Sequence, residues 1–152
     1  MKSNLLEQIR SEMRARLERL SKAAFEAHAA ATDPGSKAEG KYDTRSLEAS
    51  YLAAGQARQV DELAETVRIF EALTLPQYAL GGSIDAGALV EVELNGERMN
   101  FLLVPAASGS VFLHSDREIT LLTPDSMLYR NLLGMQVGET IAAPALTVIA
   151  VS

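Results

Sequence analysis

The sequence predicts an α+β fold in which two long helices precede a small antiparallel sheet that carries one short helix. Helical spacing of apolar residues continues to about residue 75, strand-like alternation begins after Gly81-Gly82, and Asn95-Gly96 follows an alternating segment. Asn-Gly in that setting is a strong signal for a β-hairpin. The predicted parts are an antiparallel helical hairpin over residues 1–75 with its tip at about 32–46, a linker over 76–86 and a sheet domain over 87–152.

The first helix is predicted to begin near Asn4, because Asn4 followed by Glu7 fits a capping box. Spacings of three and four residues then mark the seam of an amphipathic helix or short coiled coil. The seam residues are Leu6, Ile9, Met13, Leu17, Leu20 and Ala24. Pro34 and Gly35 end the pattern, since both residues interrupt helices.

A second helix is predicted to begin between Asp43 and Ser46 and to end near Leu73, with Gly55 as an unfavourable interruption. Its apolar positions are Leu47, Tyr51, Ala54, Val60, Leu63, Val67 and Phe70. Two helices joined by a short loop pack antiparallel, which predicts the hairpin.

The C-terminal part shows alternating or β-branched segments typical of strands. Strands are predicted over residues 88–94, 98–104, 110–114, 118–122, 137–141 and 145–151, with a short helix over 126–133. Gly134 is placed as the glycine that closes this helix.

Composition excludes several classes of function. The net charge is −6; residues 1–75 contain eleven Lys and Arg against twelve Asp and Glu, and residues 76–152 contain three against eight. This distribution argues against a basic nucleic-acid surface, and the lack of cysteine excludes disulfides and thiolate metal sites. There is no apolar run of membrane-spanning length and the N-terminus does not resemble a secretory peptide, so we expect a cytoplasmic protein.

No nucleophilic triad or phosphate-binding glycine loop is found, and we expect His28 and His114 to be structural. The acidic residues of the tip allow two interpretations. Brought together, they could hold Mg²⁺, which prefers oxygen ligands. Alternatively, Asp43 caps the second helix and, together with Glu48, favours its N-terminal dipole, while Asp33 and Glu39 are solvated. The residues concerned are Asp33, Glu39, Asp43 and Glu48, of which Asp43 and Glu48 lie at the start of the second helix.

Three segments resemble the Gre-type bacterial transcript-cleavage factors. Residues 126–139, SMLYRNLLGMQVGE, are similar to the Gre segment S-P-[IL]-x-R-A-L-[IL]-G-K-x-x-G-D of the FKBP-like C-terminal domain. Residues 48–54, EASYLAA, are similar to N-A-E-Y-H-A-A at the start of the second Gre helix. At the tip, Lys41-Tyr42-Asp43-Thr44 resembles the K-Y-[DE]-T of short Gre-like proteins of unassigned role.

The resemblance implies that the hairpin enters the secondary channel of RNA polymerase while the FKBP-like domain docks at the channel rim. In Gre factors two acidic tip residues help to hold the Mg²⁺ with which the polymerase cleaves backtracked RNA. The matching positions here are Thr44 and Leu47. Asp43 and Glu48 are each one residue away, which on a helix is a rotation of about 100°.

The resemblance also implies which residues contact the polymerase. They are Lys41, Tyr42, Asp43 and Arg45 at the tip, and Asp125, Ser126 and Met127 in the rim-contacting loop, where Met127 replaces a proline. The expected protein is a monomeric accessory factor, neither an enzyme itself nor bound to a membrane or to specific nucleic-acid sequences. No resident cofactor or metal is expected, apart from Mg²⁺ shared with the polymerase.

Three functions follow, with a plain coiled-coil interaction module left as a further possibility. We favour a polymerase-binding regulator without efficient transcript cleavage. An active cleavage factor would have to use Asp43 and Glu48. A peptidyl-prolyl isomerase is a third hypothesis, because the C-terminal domain is FKBP-like, but the aromatic residues available after residue 76 are only Tyr78, Phe101, Phe112 and Tyr129.

Overall fold

The computed structural model describes residues 2–32, 45–79 and 81–152, without the side chains of residues 30–32 and 45–50. Contacts divide the chain into two compact units, one formed by Met1–Ile9 with Ala72–Ser152 and the other by Arg10–Glu71. The elements are α1 (Lys2–Thr32), α2 (Arg45–Ala72), β1 (Leu89–Leu94), β2 (Glu97–Leu103), β3 (Val111–His114), β4 (Arg117–Leu122), α3 (Met127–Leu132), β5 (Thr140–Ile141) and β6 (Leu146–Val151). The α+β class predicted from the sequence is confirmed.

Within the helical unit, α1 and α2 are antiparallel. Arg10 Nε donates a hydrogen bond of 2.7 Å to the Phe70 carbonyl, and Arg14 pairs with the Glu71 carboxylate. These contacts join the beginning of one helix to the end of the other, as antiparallel pairing requires. Both helices match the sequence prediction closely, although α1 begins at Lys2, ahead of the predicted cap at Asn4.

The seam of the hairpin repeats at spacings of three and four residues on both helices, as in a coiled coil. Its buried and half-buried residues are Met13, Leu17, Leu20, Ala24 and Ala27 on α1, and Ala53, Gln56, Val60, Leu63, Val67 and Phe70 on α2. Two seam positions predicted on α2 are wrong, because Tyr51 and Ala54 are exposed. Counting back from Phe70 in steps of three and four residues leads to Gln56 and Ala53 instead. The seam therefore includes a polar residue, Gln56, which a search for apolar residues alone does not select.

Six strands form one sheet in the order β3-β4-β2-β1-β6-β5. All neighbours are antiparallel except β2 and β4, which run parallel and depart from the predicted antiparallel arrangement. After β2 the chain does not pair with β2 at once but forms the edge strand β3. A tight turn at Ser115-Asp116 then reverses the chain, so that β4 lies between β3 and β2 and runs in the same direction as β2. The predicted Asn95-Gly96 turn is confirmed, with φ of 50° and 85°.

One face of the sheet, the core face, packs against α3. Its cluster consists of Ile84, Ala88, Val90, Val92, Phe101, Leu103, Leu122, Tyr129, Leu132, Met135, Leu146 and Val148. Ile84 lies within the predicted linker 76–86, yet it is buried and its backbone pairs with Gly134 and Met135. Part of this segment therefore belongs to the folded sheet unit.

The opposite face of the sheet also buries apolar side chains. Strand alternation places Leu102, Phe112, Ile119 and Leu121 there, and all four are buried. Leu5, Leu6 and Ile9 in the first turns of α1 are likewise buried, and Gln8 between them hydrogen-bonds to β3. These turns of α1 therefore cover the opposite face, which explains why residues 2–9 group with the sheet.

Candidate functional site

The loop between β4 and α3 is a hydrogen-bonded turn that presents an acidic side chain to solvent. Ser126 N–H donates to the Thr123 carbonyl at 2.9 Å, which closes a four-residue turn with Pro124 at its second position, where proline is favoured. The buried Thr123 hydroxyl donates to Asp125 Oδ1. Thr123 thus holds the Asp125 carboxylate in a fixed, exposed position.

The Asp125 carboxylate is stabilised in its charged form. The hydrogen bond from Thr123 lowers the pKa of Asp125 most, followed by a hydrogen bond from its own backbone N–H, and the positive charge of Arg130 lowers it further. Desolvation raises the pKa and has a larger effect than Arg130, but the two hydrogen bonds outweigh it. The turn therefore presents a permanent negative charge at neutral pH.

Helix α3 follows this turn directly. Ser126 is its N-cap residue with extended backbone angles, although its side chain makes no capping hydrogen bond. The helix buries Tyr129 and Leu132 in the core, while Met127 at its first position is 70% exposed. Gly134 follows the helix with a φ of 82°, as predicted for a closing glycine.

Asp125, Ser126 and Met127 are thus brought together as one surface, which we call the loop site. It combines an ionised carboxylate with an exposed, flexible apolar side chain. Arg130 and Leu133 on α3 are exposed as well. The loop site therefore offers a charged contact at Asp125 and an apolar contact at Met127.

The tip residues predicted from the sequence are described only in part. Lys41, Tyr42 and Asp43 lie outside the described residues. Arg45 begins α2 and Glu48 lies in its first turn, but their side chains are outside the described part of the structure. The roles of the tip residues, including the catalytic candidates Asp43 and Glu48, stay predictions.

Among the side chains that the structure describes in residues 2–32, 45–79 and 81–152, which leave out those of residues 30–32 and 45–50, no group of three or more His, Asp or Glu could hold a metal ion. Over the same residues no helix is long and apolar enough to cross a membrane.

The aromatic residues of the sheet unit contribute mainly to packing. Phe101 and Tyr129 belong to the core cluster, and Phe112 is buried on the opposite face. The Tyr78 hydroxyl donates to the Ala86 carbonyl at 2.6 Å. Burial raises the pKa of the Tyr78 and Tyr129 hydroxyls, and the negative charge of Asp85 raises both pKa values further.

Two features were not predicted from the sequence. The first is the hydrogen bond from the Thr123 hydroxyl to Asp125, for which the only sequence signal is a Thr-Pro pair typical of turns. The second is the apolar edge strand β3, in which the side chains of Val111 and Leu113 are 54% and 63% exposed. His114 in the same strand contacts Gln8, with 2.6 Å between Nδ1 and Oε1.

No protein-family model and no curated protein matches the chain. Among solved structures, the chain is similar to the GreA factor homolog 1 (Gfh1) protein of Thermus thermophilus, at 20% identity over 94% of both chains and a TM-score of 0.37. Gfh1 of Thermus aquaticus is 23% identical over 98% of this chain and 92% of its own, with a TM-score of 0.36. A further structure, of the transcription factor Gfh1, is 23% identical over 97% and 91%, with a TM-score of 0.35. These proteins are Gre-factor homologues, the family that the sequence motifs resemble.

Proposed function

We propose that this chain is a Gre-like transcription regulator that binds bacterial RNA polymerase in the cytoplasm without efficient transcript cleavage. The helical hairpin enters the secondary channel, and the sheet domain docks at the channel rim. The chain is an accessory factor, so any RNA cleavage is carried out by the polymerase.

Support comes first from the loop site, in which Asp125 and Ser126 match the Asp-Ser of the rim-contacting loop of some Gre factors and Met127 replaces a proline. Residues 126–139 carry the more specific of the sequence resemblances, and the same segment forms α3 with its closing glycine. Asp125 supplies a fixed negative charge, and Met127 supplies an adaptable apolar contact. A surface of this kind suits a partner that presents a basic or hydrogen-bond-donating group beside an apolar one.

The absence of efficient cleavage is inferred from the tip sequence. Thr44 and Leu47 stand where Gre factors have acidic residues. A hydroxyl is a weaker ligand for Mg²⁺ than a carboxylate, and an aliphatic side chain offers no oxygen at all. The chain is therefore expected to occupy the channel without contributing a metal-binding pair.

A binding measurement tests the first part of the proposal. Fluorescently labelled chain is titrated with purified bacterial core RNA polymerase, and anisotropy is followed. We expect saturable binding with a 1:1 stoichiometry. No binding at micromolar polymerase would contradict the proposed partner.

Variants of the loop site test whether the sheet domain docks as proposed. Asp125→Ala removes the fixed charge, and Met127→Glu places a second negative charge in an apolar contact. Each is expected to weaken binding about tenfold, which corresponds to about 1.4 kcal/mol. Glu97→Ala is the matched control, because it removes another exposed carboxylate of the same sheet unit and should leave the affinity unchanged.

A cleavage measurement separates the regulator from the active-factor alternative. Backtracked elongation complexes are incubated with the chain and Mg²⁺, and the release of short 3′ RNA fragments is compared with release by the polymerase alone. The proposal expects no stimulation. Release that is lost in Asp43→Ala and Glu48→Ala would instead support a cleavage factor with shifted carboxylates.

A further inference from the structure

Strand β3 is an unusual edge strand. In the strand order, β4 is its single described neighbour. Edge strands are commonly protected by charged residues or proline, whereas β3 consists of Val-Phe-Leu-His and contains no Lys, Arg, Asp, Glu or Pro. Val111 and Leu113 point to the same face and are more than half exposed. Such an edge invites pairing with another strand.

The backbone of β3 shows which groups face away from β4. Ser110 O accepts a hydrogen bond from Leu121 N–H, and the register pairs Phe112 with Ile119. Because pairing groups alternate along an antiparallel strand, the N–H and C=O of Val111 and Leu113 point outward. These are the groups that a further strand would bond.

The side-chain amide of Gln8 occupies part of this outward edge. Gln8 Nε2 donates to the Leu113 carbonyl at 2.6 Å, and Gln8 Oε1 lies 2.6 Å from His114 Nδ1. The amide of one side chain therefore satisfies an outward carbonyl of β3, as the peptide group of a neighbouring strand would.

We propose that Gln8 guards the β3 edge and prevents two copies of this chain from pairing through β3. A second copy is the fitting occupant because antiparallel pairing about Phe112 is self-complementary. In this pairing Val111 of each copy lies opposite Leu113 of the other copy. Each such pair forms two backbone hydrogen bonds, one in each direction. The exposed side chains then meet as two apolar pairs, and Val111, Phe112 and Leu113 carry no charge that would oppose the contact.

Removal of the guarding amide tests the proposal on the full chain. Gln8→Ala and Gln8→Met both lack the donor, and Gln8→Met keeps most of the side-chain length. We expect the molar mass of both variants, measured by light scattering after size exclusion, to double with rising concentration while the wild type stays monomeric. Adding Val111→Lys to either variant places a charge on the edge and should restore the monomer.

Cross-linking tests the pairing register, since the chain has no native cysteine. Val111→Cys and Leu113→Cys are introduced separately into Gln8→Ala, and the two proteins are mixed under mild oxidation. Mixed disulfide dimers should exceed either homodimer. The proposal is overturned if both Gln8 variants remain monomeric, if only Gln8→Ala dimerises, if Val111→Lys leaves the dimer intact, or if the mixed cross-link is not preferred. The proposal is also overturned if the wild type dimerises as readily as the Gln8 variants, because Gln8 would then not prevent pairing through β3.

Discussion

The Lys2 ammonium lies 4.9 Å from the centroid of the Tyr78 ring. Its Nζ also donates to Gly87 O at 2.9 Å and to Ser152 O at 2.8 Å. Burial lowers the pKa of Lys2, so its charged form carries a desolvation cost that these three contacts offset. The first turn of α1 is thereby fastened to the segments that flank β1 and β6.

The Lys2→Met variant should be clearly less stable than the wild type. Methionine keeps much of the apolar stem but removes both hydrogen bonds of the ammonium group. Gly87 O then lacks the donor that Lys2 supplied, whereas Ser152 O still accepts from Leu89 N–H. We expect a loss of about 2 kcal/mol and a fall in Tm of roughly 4 to 8 °C. Urea unfolding followed by circular dichroism measures the loss. Lys22→Met, at an exposed position of the same helix, is the control and should change stability by less than about 0.5 kcal/mol.

Local signals in the sequence predicted most elements of the fold, but not how the strands are ordered. The Asn95-Gly96 turn could be predicted because both residues tolerate a positive φ. The Ser115-Asp116 turn has the same conformation, with φ of 50° and 62°, but serine does not favour it. The parallel pairing of β2 with β4 depends on how that turn places β4, which is a tertiary property.

The loop site was predicted from a resemblance and not from physical signals in the residues themselves. Asp125, Ser126 and Met127 are consecutive residues of one turn and helix start, and their contact with a polymerase stays a prediction. The support that Thr123 gives to Asp125 depends on a side-chain hydrogen bond that no spacing rule indicates. Likewise, the contact between Gln8 and β3 joins residues that are 105 positions apart in the sequence.

The acid–base behaviour of Asp125 should depend on Thr123. Because its folded-state pKa lies below the ordinary value of 3.8, the ionised carboxylate stabilises the folded chain above about pH 3.8. That stabilisation is lost as the pH falls through the folded-state pKa. In Thr123→Val the main hydrogen bond is gone, so the pKa of Asp125 should move up towards 3.8.

An NMR titration of the Asp125 carboxyl carbon measures this shift. Thr123→Ser keeps the hydroxyl and should retain the low pKa, which separates the hydrogen bond from general effects of substitution. An unchanged titration midpoint in Thr123→Val would show that Thr123 does not set the charge of the loop site.

Two glycines should respond to alanine in opposite directions. Gly55 lies within α2, and a Cβ built there meets no atom within 4 Å. Gly55→Ala should therefore raise the free energy of unfolding by roughly 0.5 to 1 kcal/mol. Gly96 has a φ of 85° in the hairpin turn, a conformation that alanine disfavours. Gly96→Ala should therefore lower the free energy of unfolding by about 1 kcal/mol or more. Chemical denaturation of both variants checks the contrast, and changes of the same sign would contradict it.

Gln56 is a weak point in the seam of the helical hairpin. Its Oε1 is buried and has no hydrogen-bond partner among the described residues. It occupies a seam position between Ala53 and Val60, where an apolar side chain would pack without an unpaired acceptor. Gln56→Leu should therefore raise the free energy of unfolding by about 1 kcal/mol.

The matched control for this change lies three residues away. Gln59 is exposed on the same helix, so Gln59→Leu has the same chemistry without the burial and should alter stability by less than about 0.5 kcal/mol. Gln56→Glu is the converse test, because a carboxylate at the seam should cost stability that is partly recovered at acidic pH. Amide hydrogen exchange of α2 reports the change locally, with slower exchange expected around Val60 in Gln56→Leu. If Gln56→Leu and Gln59→Leu had equal effects, the unpaired acceptor would not be what weakens the seam.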